Sequence, residues 1–238
     1  MSKHKCALEF PRALLYKTAM APGEKKIDKP EPRWQALLAL VVVGCIYLAL
    51  PRTLVFGPIW LLPAVVAVLL VPTIFAHRTG RNSVNHWLGI GIGAVTTVAL
   101  IASVALLVVT LPNKRESPET LLGSAALLWV CNLIVFALWY WRLDGGGPAA
   151  RQEKNEFGSR SFVFPQMQIE ESMQAFFGVK GWRPDFVDYL FVAFTTSTTF
   201  GPTDSPLLAR WAKLLTILQS LISLAIVVLL VSRAVGVI

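Results

Sequence analysis

Six stretches of this chain carry no charge. Residues 34–50, 59–75, 87–112, 121–141, 189–201 and 214–232 contain no Asp, Glu, Lys or Arg, and all 22 basic and 14 acidic residues lie outside them. A water-soluble domain spreads its charges over every element, because each element shows one face to solvent. Charged residues make up only 15% of this chain, against about 25% for a soluble domain. The segregation excludes a soluble enzyme, a disordered tail and a nucleic-acid binder. It describes an all-α, polytopic helical membrane protein whose partner is the lipid bilayer.

About 20 apolar residues cross a bilayer core, within a range of about 17–25. Windows 34–50, 59–75, 87–112, 121–141 and 214–232 meet that length. The 13 residues of 189–201 do not, so the expectation is five full spans plus one short or re-entrant helix. Turn residues fill the short connections: Pro51-Arg52, Gly57-Pro58, and Pro112 to Pro118, with Ser117 placed to cap the fourth helix. Trp34, Trp60, Trp87, Trp139, Trp141 and Trp211 fall near helix ends, where indole favours the headgroup level. Trp129 lies within the fourth window and does not fit that pattern.

Four regions follow. Residues 1–33 form a basic N-terminal tail, expected to be solvated, in which the scattered apolar residues of 7–20 offer the alternative of lying on the membrane surface beside anionic lipid. Residues 34–141 form a four-helix transmembrane region. Residues 142–184 form a long connection, in which Asp144-Gly-Gly-Gly-Pro148 is a turn or flexible loop. Within it, Pro165 starts and Gly178 stops an expected interfacial helix with Ile169, Met173, Phe176 and Phe177 on one face. Residues 185–238 hold the short helix and the last span. Pro184 stands at the expected first helical position of the short helix, with Asp185 and Asp188 favoured by its N-terminus. Asp204 or Ser205 is the expected cap of the last helix.

Lys and Arg concentrate in cytoplasmic segments of membrane proteins. With six crossings, seventeen of the 22 fall on the N-terminal side, and Arg52, Lys114, Arg115, Arg210 and Lys213 on the other. This asymmetry indicates a cytoplasmic N-terminus and a cytoplasmic 142–184 connection. If 189–201 re-enters instead of crossing, the division becomes eighteen to four.

The short segment carries the unusual chemistry. Thr195, Thr196, Ser197, Thr198 and Thr199 are five consecutive hydroxyl residues at membrane depth. Some can bond back to their own helix, and part of the run must face protein or water. Gly201-Pro202 then breaks the helix, which is tolerated at depth only against protein or a cavity. Asn132 and Gln219 are the nearest polar residues in neighbouring spans, with interhelical hydrogen bonding as their common role. Gly89, Gly91 and Gly93 permit close helix approach and do not form a dinucleotide fingerprint.

Aromatic short helix, Thr-rich stretch, glycine turn, Asp and long apolar helix together resemble the pore loop and inner helix of tetrameric cation channels. The resemblance covers about 50 residues, 185–235. Thr198-Thr199-Phe200-Gly201-Pro202-Thr203-Asp204 is similar to the filter pattern Thr-Thr-Val-Gly-Tyr-Gly-Asp, without its Tyr and second Gly. It implies a pore lined by Thr195, Thr196, Thr198, Thr199, Gly201 and Asp204, with Asn132 and Gln219 beside it. It does not imply potassium selectivity, since Pro202 and Thr203 restrict φ where such a filter needs freedom. The half 121–238 also resembles uncharacterised bacterial membrane proteins through Trp141-Arg-Leu-Asp144-Gly-Gly-Gly-Pro148, Phe164-Pro-Gln166 and Phe200-Gly-Pro-Thr-Asp204. That implies the bacterial inner membrane and brings no activity.

No window contains an acid, a base or a histidine, and the three cysteines and three histidines form no cluster. An enzyme, a metal site and a cofactor are therefore not expected. Two readings stand. One is a channel-like pore for ions or small solutes, in a homo-oligomer. The other is a structural or accessory membrane subunit with no transport.

The charge asymmetry predicts that Asn155→Cys, in a chain freed of its own cysteines, is shielded from an impermeant thiol reagent added to intact cells. Strong labelling from outside would invert the topology.

Overall fold

The computed structural model describes residues 33–78, 82–110, 117–153, 160–201 and 204–234. The basic tail 1–32, its surface segment, and Pro202-Thr203 lie outside the described residues. Each charge-free window lies on a helix: α1 (Trp34–Ala49), α2 (Leu61–Arg78), α3 (Asn82–Thr110), α4 (Pro118–Leu143), α7 (Phe186–Thr199) and α8 (Arg210–Ala234). Two short helices, α5 (Pro148–Glu153) and α6 (Glu171–Gln174), belong to the long connection. Three stretches are long and apolar enough to cross a membrane, Val84–Thr110, Pro118–Gly146 and Arg210–Ser232. Trp34–Ala49 and Leu61–Val71 are apolar but shorter.

Specific contacts fix the helix directions. Arg142 of α4 reaches the Asn85 carbonyl of α3, and Trp139 donates to Thr97 at 2.8 Å, so α3 and α4 are antiparallel. Ser103 of α3 meets Tyr47 near the end of α1, and Arg33 before α1 lines one cleft with Asn85 at the start of α3, so α1 is parallel to α3. Arg33, Asn85 and Arg142 thus share one end of the bundle, the near end.

Sequence had left open whether the short segment crosses, and these directions place it. Tyr189 near the start of α7 bonds Asp144 at the near end of α4. Farther along, Ser197 contacts Asn132, near the middle of the 26-residue α4. The chain then returns: Leu208 N–H donates to the Ser161 carbonyl at 2.9 Å, and Val163 N–H to the Pro206 carbonyl at 3.1 Å. Ser161 itself is bonded to Asp144. α7 therefore dips about 21 Å into the bundle from the near end, and the chain comes back to that end before α8 begins. Arg210 and Lys213 open α8 and so join the near end, while Arg52 and Arg233 lie toward the far end.

Several local expectations change. Ser117 caps α4 as expected, its Oγ accepting from Thr120 N–H at 3.2 Å. α7 starts at Phe186, two residues later than the expected Pro184, with Asp185 as cap. Its Oδ1 accepts from Val187 N–H at 2.8 Å, and Asp188 Oδ2 accepts from Asp185 N–H at 2.7 Å. Neither Asp204 nor Ser205 caps the last helix, because 206–208 is taken up by backbone pairing with 161–163. The helix expected over 165–178 is instead a 3₁₀ turn at Pro165–Met167, an extended Glu170 and the four-residue α6. Its apolar stripe has no partner to hold it, and Phe176 and Phe177 stay exposed. A helix this short does not persist without packing. Of the six belt tryptophans, Trp34, Trp60 and Trp87 are well exposed, while Trp141 is buried and Trp211 packs on Phe162.

The near end is clamped by Asp144, which is fully buried. Its Oδ1 accepts from Ser161 N–H at 2.6 Å and its Oδ2 from Tyr189 O–H at 2.7 Å. The buried Arg151 of α5 donates to the Trp141 and Asp144 carbonyls at 2.9 and 2.6 Å, satisfying the C-terminal end of α4. The glycines after Asp144 have φ of 58°, 80° and 94°. A Cβ on Gly147 would stand 2.7 Å from the Arg142 carbonyl, so that position needs glycine. Of the turn or flexible loop expected here, the structure has the turn, a fixed corner. Phe162, Phe164 and Tyr189 stack beside it, with ring centroids 5.4–6.4 Å apart.

Asp144→Ala leaves two buried donors unpaired, and a loss of roughly 1–3 kcal/mol is expected, with faster tryptic cleavage at Arg160. Tyr189→Phe removes one donor and its acceptor bond, and is expected to lower the melting temperature less. Equal melting of Asp144→Ala and the parent would show that the clamp holds nothing.

Candidate functional site

The re-entrant helix α7 has one face turned inward and one outward. Its inward face meets α4 and α8 through Val192, Ala193, Thr196 and Ser197, all buried. Here Gln219 of α8 is the hub. Its Nε2 donates to the Ala193 carbonyl at 2.8 Å and to Ser197 Oγ at 2.9 Å, while its Oε1 accepts from Tyr140 O–H at 2.5 Å. Asn132 Nδ2 reaches Ser197 Oγ and the Gln219 carbonyl, both at 3.4 Å. Ser223 donates to the Ser197 carbonyl at 2.8 Å and accepts from Trp129 Nε1 at 3.1 Å. This gives Trp129 its place: the indole N–H needs a partner at depth, and Ser223 supplies it.

The outward face carries Thr198, Thr199 and Phe200, all exposed, with Thr195 half-buried. Each threonine hydroxyl is satisfied locally. Thr195 donates to the Val192 carbonyl at 3.0 Å, Thr198 to Phe194 at 2.9 Å, and Thr199 to the Thr195 and Gly201 carbonyls, both at 2.7 Å. Thr196 is fully buried, and its hydroxyl has no hydrogen-bond partner.

The helix ends on strained backbone. Phe200 has φ of 58°, the one positive φ among the described non-glycine residues. A bulky side chain in this region costs about 1–2 kcal/mol, and such strain clusters at functional sites. Gly201 follows, half-buried, and Asp204 is exposed on the returning chain.

The expected site residues thus divide. Asn132 and Gln219 meet Ser197 inside the bundle. Thr198, Thr199, Gly201 and Asp204 are reachable from its surface. Thr196 touches neither group by hydrogen bond. Within one chain the seam of Gln219, Ser197 and Ser223 is packed shut, with each of the three hydrogen-bonded within the bundle. Among the described residues no three His, Cys, Asp or Glu side chains gather at a metal-holding distance. Sequence reasoning missed the roles of Tyr140, of Thr216, whose Oγ1 lies 3.4 Å from the Tyr140 hydroxyl, and of Ser223, because hydroxyls scattered through apolar windows give no sign of which helix they will meet. It also missed Asp144 as a structural anchor. Its signal was a lone carboxylate directly after a span and before three glycines.

Gln219→Leu removes three side-chain hydrogen bonds and leaves the Tyr140 hydroxyl with the longer contact to Thr216 Oγ1 at 3.4 Å. The expected loss is roughly 1–3 kcal/mol, since interhelical bonds in membranes average about 0.6 kcal/mol and stranded groups add to it. Thr196→Val, by contrast, keeps the shape and discards an unpartnered hydroxyl, and is expected to melt at or above the parent temperature. Thermal melting in detergent reads both. The reverse order would mean that Thr196, not Gln219, holds the seam.

No family model, curated protein or solved structure matches the chain.

Proposed function

We propose that several copies of this membrane protein assemble around the outward faces of their α7 helices to form a channel-like pore for ions or small solutes. One observation carries the reading: a short helix enters from the near end, stops mid-bundle, and the chain returns to the same end. Backbone that turns back at membrane depth is tolerated where it lines a cavity or is covered by protein. The exposed C-terminal turn of α7 presents the negative end of a helix dipole, which favours cations. Thr198, Thr199 and Gly201 surround it. The polar seam within one chain is closed, so the path in this reading runs between chains. Its setting is the bacterial inner membrane, with the near end and the N-terminus in the cytoplasm, as the distribution of Lys and Arg supports.

The accessory reading keeps one specific support. Every exposed hydroxyl of α7 is already bonded to its own backbone, so none requires water or an ion.

Reconstituted liposomes separate the two. The pore reading expects cation flux from the parent chain. Thr198→Val with Thr199→Val should reduce it by about tenfold, about 1.4 kcal/mol on the barrier, with unchanged melting. Absence of flux from well-folded, oligomeric protein selects the accessory reading. Equal flux from parent and variant removes the threonines from the path.

A further inference from the structure

A second feature lies on the opposite side of α4 from the re-entrant helix. α1, α3 and α4, with Leu70 of α2, enclose an apolar cleft of about 120 Å³. Its charged end holds Arg33, immediately before α1, and Arg142, next to the last residue of α4. Its inner part is walled by Leu40, Leu70, Ile92 and Leu138. The cleft reaches the outer surface at Leu37, which is 39% exposed. No Asp or Glu is among the described residues that line it.

Glycines make the space. The Arg142 guanidinium lies where a Cβ on Gly89 would be, and a Cβ on Gly93 would stand 2.9 Å from the Trp139 ring. Arg142 is anchored by the Asn85 carbonyl and by Asn85 Oδ1 at 3.1 Å. Its Nε is buried without a hydrogen-bond partner. Arg33 lies close enough for its charge to act on Arg142. Both guanidinium groups belong to the same end of the cleft, which gives that end a positive charge.

We propose that this cleft binds one anionic glycerophospholipid from the surrounding leaflet, with its phosphate at Arg33 and Arg142 and part of one acyl chain along Leu37, Leu40 and Ile92. The charged end at the rim and the apolar end toward the bundle centre match how a lipid stands in its leaflet. Guanidinium pairs suit a phosphate because their N–H groups form a planar fork. The lateral opening favours a lipid over a free phosphate, which would leave the apolar wall uncovered. The proposal does not depend on whether the protein conducts.

Native mass spectrometry and thermal melting of the purified full chain test it, with phosphatidylglycerol and phosphatidylcholine of identical acyl chains in about physiological salt. Phosphatidylglycerol is expected to stay bound and to raise the melting temperature more. Arg33→Gln should weaken that preference about fivefold, as expected for one basic residue at a lipid surface. Arg142→Gln should weaken it similarly, and Arg33→Gln keeps the test valid if loss of the Asn85 contact disturbs folding. Gly93→Leu should reduce binding of both lipids by filling the apolar part. Equal retention of the two lipids, or an unchanged preference in Arg33→Gln, would overturn the proposal. So would full competition by soluble glycerol phosphate, which would mark a free-anion site.

Discussion

A buried carboxylate sets the geometry of the half that follows α3. Burying the polar side chain of Asp144 requires hydrogen-bond donors, among them the Ser161 amide and the Tyr189 hydroxyl. These donors come from the long connection and from α7. Satisfying one group therefore ties three segments to the same end of the bundle. Ser161 in turn receives Leu208, so the start of α8 is held there too. With both flanks of α7 fastened at one end, the segment has no route across and must fold back.

Polar groups inside this bundle serve two separate ends. Gln219, Asn132, Ser197 and Ser223 bond to one another across three helices and close the interior. Thr195, Thr198 and Thr199 bond to their own helix and leave their faces outward. The first set resists separation of α4, α7 and α8. The second set demands nothing from its neighbours, which makes that surface compatible with lipid, with another copy, or with a hydrated path. A threonine run by itself does not distinguish these uses. The orientation of α7, fixed by Gln219 and Asp144, decides which threonines face outward.

The glycines of α3 show the same dependence on context. Small residues four apart commonly let two backbones approach. Here they receive side chains instead, Arg142 at Gly89 and Trp139 at Gly93. Trp139 is held there by its bond to Thr97, whose own hydroxyl donates to the Gly93 carbonyl at 2.7 Å. The outcome is a lateral cleft with cations at its rim, where a bare helix-packing surface was expected.

Much of the fold was legible because a bilayer permits few solutions. Charge-free windows located all six helices, Ser117 and Pro118 marked the start of α4, and 189–201 was too short to span. Those features are local: they depend on length, hydropathy and the first turn of a helix. The 165–178 segment failed because an amphipathic pattern forms a helix only when something covers its apolar stripe. The partners of Asn132, Trp129 and Tyr140 were also illegible, since a hydroxyl or amide in an apolar run does not encode the helix it will face. The sequence by itself determined the apolar helices and the short Thr-rich segment. Only the tertiary structure decided that this segment turns back and which of its hydroxyls point outward. The physical reason is that a buried polar group must find its partner across the bundle, and the partners of Asp144 and Gln219 lie tens of residues away along the chain.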